Sequence, residues 1–357
     1  MTAAPRHACI ILLTGLGDVV HGLPVVNAMK RAWPATRITW VVEPMPAGIL
    51  DPHPAVDQVI VYEKRKGARG VADLRRRMAR EQFDLAINLN IYFKSIWPLL
   101  FSRASRRWTF GRDRARDGVW LAGNRHLPPR PRRHTQDMFL EFANALGIDP
   151  LPLEWRLMAT EAERAEQRRF LDVLDGRPAV ALVPASANTN KDWPAERYVA
   201  VADAIEGDMG ARCVLVGGPG ERETRAARTI ARGAAREPVW MMGDGVRRLT
   251  WILEACAAVV APDTGPLHIA RAMGTPVVGL FGHTNPWRVG PYQAWDDLWV
   301  DAYTEPGAPP DPSDATPKDG RMERIRPEDV ITRVERALRL AGHARRTGSS
   351  RTTGRAP

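Results

Sequence analysis

At 357 residues the chain exceeds the size at which a single hydrophobic core usually keeps growing, so two domains are expected. Its 44% hydrophobic and 26% charged residues exclude a disordered protein, and no apolar run approaches the ~20 residues that span a bilayer. The net charge of +10 is uneven: Lys64 to Arg133 holds 19 Lys or Arg against 5 Asp or Glu, either a solvated basic face or a surface for polyanions.

In chain order, Ala8 to Thr14 reads as a buried first strand; its apolar part, Cys9 to Leu13, is too short for the core of a signal peptide, so a cytoplasmic protein is expected. Pro24 to Trp33 has helical spacing through Val25, Val26, Met29 and Ala32. Strands follow at 37–42, 56–61 and 85–89, the last preceded by a helix over 70–80. Strand alternating with helix implies a parallel sheet covered on both faces. The Pro- and Arg-rich stretch 123–133 predicts a loop, and 135–146 a helix. A charged helix over 161–175 reads as part of a linker. A second series begins near Pro178: strand 179–183, helix 195–207, strand 213–216, a short strand 239–242, helix 249–257, strand 258–261, helix 266–273 and strand 276–281. Residues 304–320, crowded with Pro, Asp and Gly, predict a long surface loop. Pro327 to Leu340 is helical, with Glu328 and Asp329 at its N-terminal end, and the residues from Gly342 onward predict a disordered tail.

Cys9, Cys213 and Cys256 lie scattered in apolar segments, where free cysteines act as small hydrophobes; their spacing suggests neither metal nor disulfide. Three polar segments fall between a strand and a helix, where open α/β sheets place ligands. The first is Thr14-Gly15-Leu16-Gly17-Asp18-Val19-Val20-His21. Its Gly-x-Gly lacks the third glycine of the dinucleotide fingerprint, since Val20 stands there, and no Gly-Lys-Ser/Thr follows. Asp18 suits either a helix cap or delivery of a carboxylate to the mouth of the sheet. The second runs from Pro184 to Pro194, where Ser186, Thr189 and Lys191 could cradle a phosphate, with Trp193-Pro194 stiffening the loop. The third, Pro262-Asp263-Thr264-Gly265-Pro266-Leu267-His268, opens a helix whose N–H groups suit an anion. Asp263 could instead be a cap and His268 a core residue.

Gly-Asp-Val-Val-His-x-Leu-Pro (17–24), Lys-x-Trp-Pro (191–194) and Asp-Thr-Gly-x-x-His (263–268) resemble glycosyltransferase family 9, the lipopolysaccharide heptosyltransferases, in order and spacing from Ile10 to about Leu340. The resemblance implies an α/β, GT-B fold: two Rossmann-like domains facing a central cleft, with the acceptor bound by residues 1–165 and the nucleotide sugar by 176–326. It further implies a helix over 327–341 that crosses back to the first domain, ahead of the tail 342–357. It implies an inverting transfer of heptose from ADP-heptose to a lipopolysaccharide core acceptor, with no cofactor and no metal. By motif position Asp18 would be the general base, on an acceptor-side loop with Gly15, Gly17 and His21. Ser186, Lys191, Thr264 and Gly265 would hold the donor pyrophosphate, Asp263 the donor sugar, and His268 that loop or the phosphates. The family commonly has Thr near position 186, and His21 has no assigned role.

The expected partners are a nucleotide sugar, an anionic lipid-linked saccharide and the inner face of the cytoplasmic membrane, met peripherally through the Lys64–Arg133 region. Trp97, Trp108 and Trp120 would sit at that interface or in the core. No nucleic-acid module is visible. The competing readings are a transferase of the same fold using another nucleotide sugar for a glycolipid or polysaccharide, and a non-catalytic nucleotide- or nucleic-acid-binding protein. A dehydrogenase is disfavoured by the missing glycine and by Glu43, the only acidic residue near the ribose position, being followed by a proline.

Overall fold

A computed structural model describes residues 3–243 and 245–346. The chain divides into two compact units between Leu157 and Met158.

In the first unit, β1 (His7–Leu12) leads into α1 (Leu16–Ala32), β2 (Arg37–Val42), the short α2 (Pro44–Ala47), β3 (Gln58–Val61), α3 (Gly67–Met78) and β4 (Leu85–Asn88). α4 (Ile96–Phe101), β5 (Arg106–Thr109), β6 (Arg125–His126) and α5 (Thr135–Ala145) complete it. All six strands are parallel, in the order β3-β2-β1-β4-β5-β6. Every residue of β1 and β4 is buried, as strands covered on both faces require. One of the unit's cores gathers Cys9, Ile11, Val41, Leu74, Met78 and Leu99.

The second unit contains α6 (Glu161–Val173), β7 (Ala179–Leu182), α7 (Ala195–Gly207), β8 (Arg212–Gly217), α8 (Glu221–Gly233), β9 (Val239–Met242), α9 (Val246–Ala255) and β10 (Ala258–Pro262). It continues through α10 (Gly265–Ala272), β11 (Val277–Phe281), α11 (Pro286–Val289), β12 (Val300–Asp301) and α12 (Pro327–Arg346). Its sheet, also parallel, runs β12-β11-β10-β7-β8-β9. Counted from its own first strand, this is the same doubly wound order as in the first unit. In both sheets the strand order reverses beside the first strand, between β1 and β4 and between β7 and β10, and such a switch point opens a crevice at the carboxyl ends.

Several expectations are corrected. Helix α1 begins at Leu16 rather than Pro24, and Pro24 lies inside it. The missing N–H of Pro24 is tolerated because Leu16, Val19, Val20 and Leu23 are all buried, and packing rather than local propensity holds the turn. Gly22 lets α1 lie directly on the sheet, since a Cβ there would stand 2.9 Å from the Trp40 ring. The stretch read as a loop over 123–133 contributes the edge strand β6. The unread α8 follows the Gly-rich end of β8; of its residues only Ala227 and Ile230 are fully buried, in a stripe made mostly of alanine. The domain division falls at 157/158 rather than 165, because α6 packs on α9 of the second unit. A capping box at Thr160 and Glu163 opens α6, and Arg247 of α9 binds Glu163. Helix α12 extends past Leu340 to Arg346; it packs on α7, β10 and β11 of its own unit, with Val330, Val334 and Ala337 in that core. The remainder of the expected tail, 347–357, lies outside the described residues. The segment 304–320 has no regular element, as read, but it is stitched down: Tyr303 Oη donates to Asp314 and Thr316 O, and Asn285 donates to Asp311 O and Asp314 O.

Candidate active site

In the first unit the switch point is lined by neutral amides. Asn90, buried just beyond β4, accepts from Leu13 N (3.1 Å) and donates to Ile11 O (3.1 Å), so the ends of β1 and β4 are tied together. Asn88 donates to Ser95 Oγ at 3.0 Å, extending the network into the following turn. From this anchored edge the chain turns through Gly15, the N-cap of α1, whose extended backbone (φ −62°, ψ 169°) provides no side-chain cap. Asp18 is therefore not a cap. It lies half-buried in the first helical turn, where the helix dipole favours a carboxylate. Gly17 is in the same turn. His21, one turn further, is buried: its Nδ1 lies 3.1 Å from Gln136 Oε1, while Gln136 Nε2 donates to His21 O at 2.7 Å. The ring also meets His134 edge-on, and His134 caps α5 by accepting from Gln136 N. His21 thus fastens α1 to α5 behind the loop.

In the second unit the switch point is charged. Residues 183–194 leave β7, and Asp263 and Thr264 leave its neighbour β10. Lys191 Nζ donates to Asp263 Oδ2 at 2.7 Å, and His268, on the first turn of α10, places Nε2 3.3 Å from Asp263 Oδ1. Three residues from two separated motifs thus form one cluster. Burial alone would raise the Asp263 carboxyl, but the charges and hydrogen bonds of Lys191 and His268 outweigh it and hold the group well below the usual carboxylate range. Asp263 is therefore ionised throughout the neutral range. Thr264, the N-cap of α10, turns its hydroxyl back to Pro262 O (3.1 Å), and Gly265 opens the helix with a backbone N–H, whereas Pro266 has none and Leu267 N donates to Thr264 O.

Ser186 is placed differently from its expected phosphate role. It is buried, and its Oγ donates to Asn188 O (2.5 Å) and accepts from Asn188 N (3.1 Å), so the hydroxyl shapes the loop. Two residues missed in the sequence reinforce that shape. Asp192 accepts from Ser186 N at 2.6 Å, and Arg222, on the first turn of α8, donates to both the Asp192 carboxylate and Ser186 O. Burial pushes the Asp192 carboxyl up, partly offset by the Ser186 N–H and the Arg222 charge. Asp192 was legible inside the Lys-x-Trp-Pro motif; Arg222 was not, because its helix went unread. Trp193 is buried and donates to Ile325 O at 3.1 Å, fixing the loop's far end. A pocket of about 360 Å³ lies beside this loop, lined by Thr189, Asn190, Trp193 and Met322 among others. Among the described residues no three His, Cys, Asp or Glu side chains are grouped to hold a metal. The three cysteines are buried, and burial pushes the thiols of Cys9 and Cys213 up.

Residues 71–305 match glycosyltransferase family 9 (heptosyltransferase). The lipopolysaccharide core heptosyltransferase OpsX of Haemophilus influenzae is 32% identical over 305 residues, covering 85% of this chain and 86% of its own. This chain belongs to glycosyltransferase family 9. It is a glycosyltransferase, and its two doubly wound units are those of the GT-B fold. Lipopolysaccharide heptosyltransferase 3 of Escherichia coli K12 is 25% identical over 292 residues (78% and 85% of the two chains). Among solved structures, the family 9 protein of Veillonella parvula superposes with a TM-score of 0.77 at 23% identity, covering 94% and 97% of the chains. E. coli heptosyltransferase WaaC with ADP gives 0.71 at 22% identity, covering 93% and 99%. At such identities the structural likeness concerns the fold alone.

Proposed function

We propose that this family 9 enzyme transfers a heptose from ADP-heptose to the anionic, lipid-linked core of lipopolysaccharide, with inversion at the anomeric carbon and without a metal. The observation that carries the reading is the Lys191–Asp263–His268 cluster at the β7/β10 crevice of a chain whose relatives are heptosyltransferases. Asp18 takes the proton from the acceptor hydroxyl as that oxygen bonds to the anomeric carbon. The bond from that carbon to the diphosphate oxygen breaks, and ADP leaves carrying the electron pair. Lys191 and the N–H groups at Thr264 and Gly265 receive the developing negative charge. Asp263, ionised and oriented by Lys191 and His268, accepts hydrogen bonds from the sugar hydroxyls. Ser186 acts by holding the loop that carries Lys191.

In the same reading the enzyme works at the inner membrane face, approached through the basic stretch Lys64–Arg133. No described helix is long and apolar enough to cross a membrane. The deciding experiment is calorimetric titration with ADP, ADP-heptose, UDP, GDP and NAD, repeated with Lys191→Ala. Selective binding of ADP and ADP-heptose, weakened by the substitution, is expected. Preference for UDP or GDP would move the sugar class, and binding of NAD alone or of nothing would sink the proposal.

A further inference from the structure

The exposed large hydrophobic side chains are not scattered evenly. Tyr92, Phe93, Trp97 and Leu100 are each 40–47% exposed, and Leu121 is 68% exposed. The first four occupy one short segment, a 3-10 turn (Phe93–Ser95) running directly into α4. Phe93, Trp97 and Leu100 recur with helical spacing and therefore share a face. The opposite face, Ser95, Pro98 and Leu99, is buried in the unit. Leu121 belongs to a second 3-10 turn, Val119–Ala122, that packs on α4. A helix apolar on both its inner and its outer face, in a chain this polar elsewhere, marks a surface made to be covered.

The surroundings identify the cover. The Arg116 guanidinium lies 5.8 Å from the centre of the Tyr92 ring, and that of Arg112 lies 5.9 Å from the Trp120 ring. Arg103 follows α4 directly and is exposed. Helix α3 packs on α4 and presents exposed Arg69, Arg75 and Arg76, preceded by the exposed turn Lys64–Lys66. Acids are fewer: Glu43 bridges Lys64 and Lys94, Glu63 meets Lys66, Asp73 meets Arg76, Asp113 meets Arg114, and Asp117 is exposed. Aromatic and aliphatic side chains ringed by guanidinium groups complement a layer that is hydrocarbon below and phosphate above. Nucleic acid would use the charge but leave the apolar face bare.

We propose that Tyr92, Phe93, Trp97, Leu100 and Leu121 form an apolar anchor that enters the interfacial layer of an anionic bilayer while the surrounding arginines meet the lipid phosphates. The proposal rests on the transferase reading only for the acceptor's lipid anchor. It sharpens that reading in two ways. Trp108 and Trp120 are only half-exposed, so of the three tryptophans in the basic stretch Trp97 alone belongs to the anchor. The anchor also begins at the carboxyl end of β4, where Asn90 is bonded to Leu13, so it is built on the same sheet edge that carries Asp18. A membrane held by this segment would lie next to the proposed base.

The test is sedimentation of the full chain with phosphatidylcholine vesicles and with vesicles containing phosphatidylglycerol. The wild type is expected to partition on the order of 10-fold more strongly onto the anionic vesicles. The double variant Phe93→Glu/Leu100→Glu should lose about 10-fold of that partitioning even at low salt, whereas Phe93→Leu/Leu100→Met should retain it. Quenching of tryptophan emission by brominated lipid should fall in Trp97→Phe. Circular dichroism and ADP titration of the same samples check the fold. Failure of the wild type to bind anionic vesicles overturns the proposal, whether the patch then proves to hold a protein or nothing. So does undiminished binding by the glutamate variant, since the charges alone would then suffice. If no sample binds ADP, the ADP-heptose donor proposed above falls, while the vesicle result still decides this one.

Discussion

The two units share one strand order, yet their switch points are furnished in opposite ways. In the first, the ends of β1 and β4 are locked by the amide of Asn90, and the chain enters α1 within a few residues, presenting Asp18 half-buried on the first turn. In the second, the residues between β7 and α7 form a long loop, and the crevice beside β10 is occupied by Lys191, Asp263 and His268. The same backbone frame thus supports a short neutral edge offering one carboxylate and a longer edge offering positive charge and dipoles. The difference matches what each half of a glycosyl transfer asks for: a proton acceptor for one substrate, charge stabilisation for the other.

The comparison is sharpest at Asp18. If the first unit supplies the base, Asp18→Asn should lower kcat on the order of 10³-fold, with little change in the calorimetric affinity for ADP. An equal loss of ADP affinity would break the division of labour. Next is Lys191→Ala, expected to weaken ADP binding on the order of 10²-fold, because one partner of a desolvated charge pair is removed. It should also destabilise the second unit, since Asp263 would stay buried without its counter-ion. On the neutral side, Asn90→Leu should cost about 2 kcal/mol in denaturant unfolding, by stranding the buried Leu13 N–H, while Ile11 C=O keeps its bond from Leu89 N–H. A loss of kcat in a variant that remains folded would show that the amide network also positions the base.

The acid limb of stability separates the units further. The folded carboxyl of Asp263 titrates below its unfolded counterpart, so its contribution is fully present above the ordinary carboxylate range and is lost as pH falls through the depressed folded value. Asp263→Asn should therefore flatten the acid side of the stability–pH curve. An unchanged curve would mean that Lys191 and His268 do not outweigh burial. Ser186→Ala is expected to have the smallest effect, about 1 kcal/mol of stability and a modest rise in KM for the donor, because the hydroxyl only shapes the loop.

Much of this was legible beforehand. Unbroken apolar runs such as Ala179–Leu182 and Val277–Phe281 can only be buried parallel strands in a chain where they alternate with helices, and glycine and proline marked most of the junctions. The three polar segments were visible for the same reason: charge placed directly after such a run must lie at a strand end. Helix α8 escaped because its inward stripe is built largely of alanine, with Ala227 and Ile230 alone fully buried, and it follows a Gly-rich turn. The start of α1 escaped because proline usually opens a helix, a local preference that burial overrode at Pro24.

By itself the sequence determined the alternation of strand and helix, the two α/β series and the segments that carry the chemistry, since these follow from local periodicity and from the cost of burying unpaired polar groups. Only the tertiary structure decided which segments meet. Lys191 and Asp263 lie far apart in the chain and become partners because β7 and β10 are neighbours in the sheet, while Ser186, one loop turn from Lys191, spends its hydroxyl on its own backbone. Strand order is set by packing across the whole unit rather than by any local stretch, and for that reason the motifs could point to one donor site but not to the direct bonds of Lys191 and His268 to Asp263.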